Sequence, residues 1–519
     1  MKNEDFDVII VGGGVTGAGT ARDCALRGLK TLLLERNDIA TGATGRNHGL
    51  LHSGARYAVA DSESARECII ENSIIKRIAP HCVDKTGGLF ITLPQDVDAG
   101  YGLDYQAKFI QSCRDAGIHA KAIDPAQARM IEPAVNPDII GAVKVPDASV
   151  DPFRLCACNV QDARDHGATV LTYTSITRLL KEGDRITGVQ AKGSGGVSLE
   201  FRAPVTVLAA GIWSHGLLAQ VGIDIEMVAS KGSLLVFGHR MSRMVINRCR
   251  KSADADILVP GEPVSILGTT STKVPFEDCD RLRVTREEVE LLLREGSALC
   301  PELAQTRIIR AYAGVRPLVS TGSSGSDGGG RGASRGIVCL DHEARDGVKG
   351  LITITGGKLT TYRLMAEIAT DEVCRKLGVK RHCTTATKRL PDIVGRLSRN
   401  LKPGRPKPLR EDDMVCQCER VGLADIHYAV QELGVKNLED LRRRTRAGMG
   451  TCQGTFCTFR TADALCAELG TPHEAPRLAR EYVNERWKGM MPVGWGDTLR
   501  EMEFMQRVYK EGRPYSYEV

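Results

Sequence analysis

Three features are absent from this 519-residue sequence. No stretch approaches the roughly 20 apolar residues that a membrane-spanning helix requires, so we expect any contact with a membrane to be peripheral or to go through a partner. The first residues, MKNEDFDVIIVGGGV, are acidic and contain an apolar run of only four residues, which is not the pattern of a signal peptide. The net charge of +6 is too small to indicate nucleic-acid binding, although it suits an anionic ligand or a lipid surface.

Cysteine, by contrast, is plentiful. The chain has 17 cysteines, and without an export signal they indicate a reducing compartment in which thiols stay free or bind metal. The sequence therefore predicts a cytoplasmic protein. Its length suits roughly three to four average domains or two large ones.

The N-terminal segment FDVIIVGGGVTGAGTARDCALRGLKTLLLER predicts a βαβ unit with strands at residues 6–11 and 31–34 and a helix at 15–27. Gly12, Gly14 and Gly17 form a G-x-G-x-x-G turn, which lets the backbone approach a pyrophosphate at the helix N-terminus. Glu35 follows the second strand, where it is placed to accept hydrogen bonds from ribose hydroxyls. The alternative is a glycine-rich turn without a ligand, and the motif alone does not choose between FAD and NAD.

Two later strand-to-glycine junctions favour FAD. VTVLAAGIWS (205–214) is an apolar strand that reaches Gly211, and GLITITGGKLTTYR (350–363) breaks at Gly356 and Gly357 before an expected helix. Such a helix N-terminus is aimed at an anion or a flavin edge. Only one G-x-G-x-x-G is present, which argues against a second domain for NAD(P)H. Ordinary strand–helix turns are the alternative.

A family resemblance is carried by four segments: RNDIATGATGRNHGLLHSGARYAV after Glu35, AYAGVRPL (311–318), SRGIVCLDH, and GGKLTTYR. Over about residues 5 to 465 the chain resembles the FAD-dependent glycerol-3-phosphate dehydrogenases of the anaerobic bacterial kind. The resemblance implies an α/β (α+β) fold of the D-amino-acid-oxidase type. In that fold a Rossmann-like FAD domain is interleaved with an antiparallel-sheet substrate domain. It also implies oxidation of sn-glycerol 3-phosphate to dihydroxyacetone phosphate.

The resemblance also assigns roles to single residues. Arg56, Arg316 and Lys358 match positions that hold the substrate phosphate, and His52 matches a histidine beside the flavin. We assign His52 and Arg316 to the catalytic set. Further residues of the matching segments are assigned to the cofactor: Arg36, Thr44, Asn47, His48 and Leu359. One departure is Leu234, where family members of the aerobic type often have a histidine.

The chemistry of these residue types agrees with the resemblance. Guanidinium forks bind the oxygens of a phosphate monoester in pairs, and alcohol oxidation needs a hydride acceptor and a group that takes the hydroxyl proton. His52 is the candidate base; the alternative is that it only hydrogen-bonds the flavin or the substrate. The alternative for each arginine is a solvated or salt-bridged surface residue, which is weakest for Arg316 in its apolar frame.

Four thiols near the C-terminus follow the pattern C-x-C, 33 residues, C-x4-C: Cys416, Cys418, Cys452 and Cys457. Such sets bind zinc or an iron–sulfur cluster, and unliganded thiols are the third possibility. The spacing resembles the small helical domain of bacterioferritin-associated ferredoxin, which implies a [2Fe–2S] cluster. The neighbouring arginines 442–444 and Arg446 either offset the charge of the thiolates or form a solvated helix face, and the second interpretation is favoured.

Composition suggests the domain boundaries. We expect the FAD-dependent oxidoreductase at 1–395, a linker at 396–411, the [2Fe–2S] domain at 412–465 and a tail at 466–519 for subunit docking. In that tail an aromatic and methionine cluster (Trp487, Met490, Met491 and Trp495) either docks a partner or packs back onto the chain.

Smaller segments are predicted as well. Residues 150–210 are expected to form short strands and turns, with a hairpin within ITRLLKEGDRITGVQAKGSGG, and 287–303 a helix. The glycine- and serine-rich residues 320–336 are expected to form a loop.

A cluster that carries one electron at a time gives a two-electron flavin an exit, which an oxidase does not need. The sequence thus favours the entry module of a respiratory dehydrogenase. The resemblance implies two partners, a second flavin-bearing protein and a membrane-anchoring iron–sulfur protein, and through them a quinone. These partners would place the protein peripherally on the cytoplasmic face of the inner membrane. Two alternatives stay open: a dehydrogenase of a 2-hydroxy acid or secondary amine, and a redox-sensing flavoprotein without turnover.

Overall fold

The computed structural model describes residues 5–319, 336–393 and 413–511. The expected linker at 396–411 and residues 320–335 of the expected loop lie outside the described residues. Within them the α-helices are α1 (Val15–Leu26), α2 (Ser62–Ile78), α3 (Leu103–Asp115), α4 (Pro125–Ile131), α5 (Pro152–Asp165), α6 (Ser214–Ala219), α7 (Arg286–Ser297), α8 (His342–Asp346), α9 (Tyr362–Leu377), α10 (Leu423–Gln431), α11 (Leu438–Thr445), α12 (Thr458–Leu469), α13 (Ala475–Met490) and α14 (Gly496–Glu511).

The strands are β1 (Val8–Val11), β2 (Thr31–Leu34), β3 (Leu50–Leu51), β4 (Val83–Asp84), β5 (Gly88–Thr92), β6 (Lys121–Ile123), β7 (Gly141–Val145), β8 (Ala148–Val150), β9 (Thr169–Leu171), β10 (Ser175–Glu182), β11 (Arg185–Lys192), β12 (Ser198–Arg202), β13 (Val205–Leu208), β14 (Met227–Phe237), β15 (Val245–Arg248), β16 (Ile257–Gly261), β17 (Val264–Gly268), β18 (Thr272–Lys273), β19 (Ile308–Val319), β20 (Ile337–Asp341), β21 (Leu351–Gly356), β22 (Met414–Cys416) and β23 (Val421–Gly422).

A six-stranded sheet in the order β20-β21-β13-β1-β2-β9 forms the first layer. All its pairs are parallel except β20 with β21. Because parallel strands are covered on both faces, all residues of β1, β2 and β13 are buried, and apart from Thr31 and Thr206 they are apolar. The carboxyl ends of β1, β13 and β21 meet at one edge, where the three predicted glycine segments begin.

The second large sheet has the order β18-β14-β17-β16-β15-β5-β7-β6, with β19 also paired to β14. It is mainly antiparallel, and β15 with β5 is its parallel pair. The long strands β14 and β19 are antiparallel and run from Met227 opposite Val319 to Phe237 opposite Ile308. The predicted interleaving of a parallel FAD sheet with a largely antiparallel one is confirmed.

The C-terminal part has its own buried core, which extends from Val415 to Tyr482. Helix α13 belongs to two cores: its first half packs in this one, and its end contributes Met490 and Trp487 to the core of the second large sheet. Trp487 and Met490 therefore pack back onto the chain, whereas Met491 and Trp495 are 47% and 44% exposed.

Most local predictions are confirmed, among them the βαβ unit, the β10–β11 hairpin and helix α7. The expectation of short strands and turns from residue 150 is wrong at its start, where α5 stands. Asp151 caps this helix by accepting hydrogen bonds from the backbone N–H groups of Phe153 and Arg154, and Pro152 occupies its first turn. An Asp-Pro pair of this kind is a helix start signal.

In the described part of the chain, no helix is both long and apolar enough to cross a membrane.

Candidate active site and metal centre

The loop between β1 and α1 is tight enough to require glycine at two positions. Gly12 has φ +114°, and a Cβ there would lie 2.6 Å from the carbonyl oxygen of Ala209 on the neighbouring strand end. A Cβ on Gly17 would lie 1.9 Å from the carbonyl oxygen of Gly12. Any side chain would therefore push the loop away from β13 and from its own helix. The bare backbone is what allows a pyrophosphate to approach the start of α1.

Glu35, which directly follows β2, stabilises this loop. Its carboxylate accepts hydrogen bonds from the backbone N–H groups of Gly13 at 2.7 Å and Asn37 at 2.8 Å. Burial raises the pKa of Glu35, and the two N–H groups oppose that rise. Thr44 supports the same region because its hydroxyl oxygen accepts a hydrogen bond from the Val15 N–H at 3.0 Å, in the first turn of α1.

A cavity of about 890 Å³ opens at the carboxyl ends of β1, β13 and β21. Its size lies in the upper range of cofactor pockets. Every predicted cofactor and substrate residue except Gly17 lines it. The lining includes the dinucleotide-loop glycines and Glu35 as well as Arg316 and Lys358, so predicted cofactor residues and predicted substrate residues share one cavity. The residues present fit FAD.

One end of this cavity combines imidazole, phenol and ammonium groups. The ring of His52, just after β3, lies 5.4 Å from the ring of Tyr57 and 6.0 Å from the ring of His48, between centroids. The Lys358 ammonium lies 4.8 Å from the Tyr57 ring centroid. Tyr57 thus lies next to both a candidate base and a candidate phosphate ligand.

Arg316 projects from β19 into the cavity. Its guanidinium donates to the Ser230 hydroxyl at 3.3 Å, the Thr270 carbonyl at 3.1 Å and the Thr269 hydroxyl. A Cβ on Gly232 in β14 would lie 2.5 Å from an Arg316 nitrogen. The glycine in SKGSLLVF therefore makes room for the guanidinium, and neutral oxygens orient it.

Arg56 is held by a carboxylate. Its Nη2 donates to Asp256 at 3.1 Å, while its Nη1 is buried without a hydrogen-bond partner in the described structure. Asp256 is fully buried and also accepts from Arg250 at 2.8 Å and from the Ala253 N–H at 2.7 Å. Because Arg56 lines the cavity, its unsatisfied donor is of the kind that an anionic ligand would engage.

Three of these residues were not found from the sequence: Tyr57, Gly232 and Asp256. Tyr57 directly follows Arg56 in HSGARY, so that motif could have indicated it. Asp256 lies 200 positions beyond Arg56, and nothing in the sequence around it indicates that the two residues pair. Leu234, the position that departs from the aerobic type, is fully buried and forms part of the cavity wall. Its apolar side chain takes no part in proton transfer.

The four predicted metal ligands form two contacting thiol pairs, Cys416 with Cys457 and Cys418 with Cys452. In the described part of the chain, no three of these sulfurs lie within 4.8 Å of one another. A single zinc ion with Zn–S bonds of about 2.3 Å would gather all four sulfurs within about 4 Å. Two separate pairs suit the two iron atoms of a [2Fe–2S] cluster.

The loops around these thiols place backbone N–H groups near the sulfur atoms. The Cys457 thiol and the backbone N–H groups of Gly448, Glu419 and Cys418 lower the pKa of Cys416 to about 6, against the opposing effect of burial. Backbone N–H groups of Phe456 and Gly454 likewise favour the thiolate of Cys452, although burial raises its pKa overall. Such N–H···S contacts are typical of iron–sulfur sites, so the residues fit the cluster.

The arginines after residue 441 are not a solvated helix face, and that expectation is wrong. Arg444 is buried and pairs with Asp38, which Arg443 also contacts at 2.6 Å. Arg446 pairs with Glu419 at 2.8 Å and Asp151 at 3.2 Å. Since Asp38 and Asp151 belong to the FAD part, these pairs fix the C-terminal domain against it.

One further ligand group escaped the sequence analysis. The ligand atoms of His81, Cys82 and Cys158 lie within 4.8 Å of one another, although most other cysteines outside the four-thiol site are single buried side chains. Cys158 is 76 positions from Cys82, so spacing gave no indication of the group.

The geometry thus agrees with comparisons to known proteins. Residues 7–363 match the family described as FAD dependent oxidoreductase, and residues 414–465 match the BFD-like [2Fe-2S] binding domain. Together, fold and site define a FAD-dependent oxidoreductase that carries a [2Fe–2S] cluster as its second redox centre.

Comparison with individual proteins identifies a narrower group within this class of oxidoreductases. The chain is 55% identical to the A subunit of the anaerobic glycerol-3-phosphate dehydrogenase of Escherichia coli (strain K12), over 98% of each chain. It is 52% identical to the corresponding protein of Haemophilus influenzae, over 98% of this chain and 93% of that one. The glycerol-3-phosphate dehydrogenase of Bacillus halodurans, solved with FAD, shares the fold with a TM-score of 0.69 at 23% identity, over 96% and 97% of the two chains. The chain belongs to the family of anaerobic glycerol-3-phosphate dehydrogenase A subunits.

Proposed function

We propose that this protein oxidises sn-glycerol 3-phosphate to dihydroxyacetone phosphate and passes the electrons through its [2Fe–2S] cluster and partner subunits to a quinone. The observation that carries the proposal is that Arg56, Arg316, Lys358 and His52 all line the same cavity as the predicted flavin residues. The names of its relatives support the same substrate.

The three cations come from three distant segments: the loop after β3, strand β19 and the turn after β21. Arg56 and Arg316 are both pre-oriented, by Asp256 and by the neutral oxygens around β14. Pre-orientation lowers the conformational entropy lost when a phosphate binds. A carboxylate substrate would be held by one such arginine, so three cations favour a phosphate.

Bound FAD would supply the hydride acceptor. In this proposal His52 takes the proton of the substrate hydroxyl, and Tyr57 and Lys358 fix the substrate beside it. The backbone N–H of His52 donates to the Thr360 hydroxyl at 3.0 Å, which holds the base at the start of α9. The domain limits of 1–395, 396–411, 412–465 and 466–519 belong to the same proposal.

The electron exit is proposed at the cysteine loop. Phe456, between Cys452 and Cys457, is 75% exposed. Cys418 and Cys452 are half-buried, so this pair is the more accessible of the two. A partner iron–sulfur or flavin subunit docking here, together with the exposed Met491 and Trp495, would place the protein peripherally on the cytoplasmic face of the inner membrane.

Anaerobic titration tests the substrate. Glycerol 3-phosphate should bleach the flavin absorbance and produce the electron paramagnetic resonance signal of a reduced [2Fe–2S] cluster in the same sample. 2-Hydroxyglutarate and proline serve as controls for the alternative substrates and should do neither. Bleaching by either control but not by glycerol 3-phosphate would refute the assignment. A flavin that no compound reduces would instead support the sensor alternative.

His52→Gln should slow flavin bleaching by about 10²- to 10⁴-fold, the range for loss of a general base. In the native protein the rate should rise with pH as the imidazole loses its proton, and this rise should be missing from the variant. His119→Gln, an exposed histidine on another surface, is the control. A variant with the native pH dependence would leave His52 with hydrogen bonding alone.

A further inference from the structure

Helix α13, in the C-terminal part of the chain, contacts both strand β19 of the flavin part and the loop that carries Cys452 and Cys457. Tyr482, Arg486 and Gly489 lie on one face of this helix because they are four and three residues apart. At one end the Arg486 guanidinium donates to the Thr455 hydroxyl at 2.7 Å, between Cys452 and Cys457. At the other end a Cβ on Gly489 would lie 2.8 Å from Nε of Arg310 on β19. This one buried face of α13 thus contacts the cysteine loop of the C-terminal domain and strand β19 of the flavin part.

Strand β19 continues this connection to the flavin cavity. Arg310, Tyr312, Gly314 and Arg316 alternate along the strand and share one face of its sheet. Tyr312 donates its hydroxyl to the carbonyl of Asn47 at 2.8 Å, and Gly314 packs on the backbone of Arg46, where a Cβ would lie 2.6 Å from the carbonyl oxygen. Asn47, Arg46, Gly314 and Arg316 all line the cavity. Arg310 is therefore the residue of this face that lies nearest the C-terminal domain.

Arg442 lies close to Arg310 and belongs to the domain that carries the four thiols. It lies on α11, whose chain leads directly into the cysteine loop, and the burial of its side chain together with the charge of Arg310 lowers the pKa of Arg442 to about 10. Both guanidinium groups also act on buried Tyr482, where their charges oppose the rise of its pKa that burial causes. The Tyr482 ring in turn packs on Gly454 and its hydroxyl donates to the Gly448 carbonyl at 3.3 Å.

These two arginines differ from their neighbours in charge balance. Arg443, Arg444 and Arg446 have carboxylate partners. For Arg310 and Arg442, no carboxylate lies within ion-pair distance in the part of the chain that the structure describes, and the Nε of each is buried without a hydrogen-bond partner. The carboxylate whose charge acts most strongly on these two arginines is that of Glu485, and it is itself paired with Lys488 at 2.7 Å. Among the described residues, Arg310 and Arg442 thus have no direct ion-pair partner, and only the charge of Glu485 partly offsets theirs.

We propose that Arg310 and Arg442 act as an electrostatic pair that raises the reduction potential of the [2Fe–2S] cluster and thereby draws electrons from the flavin. With FAD and the cluster bound, the transfer that these charges would favour is that of one electron from the reduced flavin, which would be left one electron more oxidised, to the oxidised cluster, in which one ferric iron would become ferrous. The cluster gains a negative charge in this step, and nearby positive charge stabilises the product. The inference deepens the proposed electron route and depends on it for the direction of flow.

The test is a redox titration of the cluster in the full-length protein with chemical reductant and mediators, followed by electron paramagnetic resonance. Arg442→Gln and Arg310→Gln should each lower the equilibrium constant for cluster reduction on the order of tenfold, the size of effect that one nearby unit charge has at an effective dielectric constant near 20. A tenfold change corresponds to about 59 mV for one electron. Flavin and iron contents should match the native protein. No substrate is added, so the result does not depend on the identity of the alcohol.

Two further variants separate charge from packing. Arg442→Lys retains the charge and should keep the native potential. Glu485→Gln removes a negative charge beside the pair and should shift the potential in the opposite direction, upward. Equal potentials in the native and glutamine variants would refute the proposal, as would a lysine variant that shifts as far as the glutamine variant. If Arg442→Gln fails to fold, the downward or absent shift of Arg310→Gln decides the matter.

Discussion

Replacing Arg316 by alanine should raise the glycerol 3-phosphate concentration that half-saturates flavin bleaching by about 10²-fold. The guanidinium is held in the cavity by hydroxyl and carbonyl oxygens around β14, so its fork is ready for a phosphate. Charge-assisted hydrogen bonds contribute about 1.5–3 kcal/mol, and about 1.4 kcal/mol corresponds to a factor of ten in binding. The measurement is the anaerobic bleaching rate as a function of substrate concentration.

Flavin content decides whether this loss has the proposed cause. Arg316→Ala should retain one FAD per chain, because β14 and β19 pair along their whole length without the side chain. Arg316→Lys should fall between native and alanine, since lysine keeps the charge but loses the paired donors. Arg178→Ala, which changes an exposed side chain of β10, should bind substrate normally. Loss of FAD with unchanged half-saturation would contradict the assigned role.

Much of this structure is predictable because its constraints are local. The G-x-G-x-x-G loop needs bare backbone at Gly12 and Gly17, and a strand, helix and acid in fixed order leave little choice of fold. The cysteine pairs are similarly short-range, because C-x-C and C-x4-C each place two sulfurs on one loop. Residues of this kind determine their own geometry, so their spacing carries the information.

Other features could not be predicted because they depend on contacts between distant segments. Asp256 orients Arg56 from 200 positions away, and Asp38 neutralises Arg444 across the domain boundary. The arginines 442–444 look equivalent in the sequence, yet one faces another arginine and two face a carboxylate. Charge balance is a property of the assembled interface, which no local pattern encodes.

Removal of a single thiolate should abolish the exit for electrons while leaving their entry intact. In Cys418→Ala we expect the iron and acid-labile sulfide to fall below about a tenth of native, because a [2Fe–2S] cluster needs all four thiolates. FAD should remain bound, since the flavin cavity lies in residues 11–365. Glycerol 3-phosphate should still bleach the flavin, but no cluster signal should follow.

Cys466→Ala distinguishes loss of a ligand from loss of the fold. Cys466 is fully buried in the C-terminal core that also contains Cys416 and Cys457, so its truncation leaves a cavity and destabilises that core by about 1 kcal/mol or more. Cys418 is half-buried, and its truncation removes little packing. If the four thiols hold iron, the less disruptive change loses the metal and the more disruptive one keeps it. The opposite order, or zinc in place of iron in protein purified without oxygen, would show that these sulfurs have a structural role and carry no electrons.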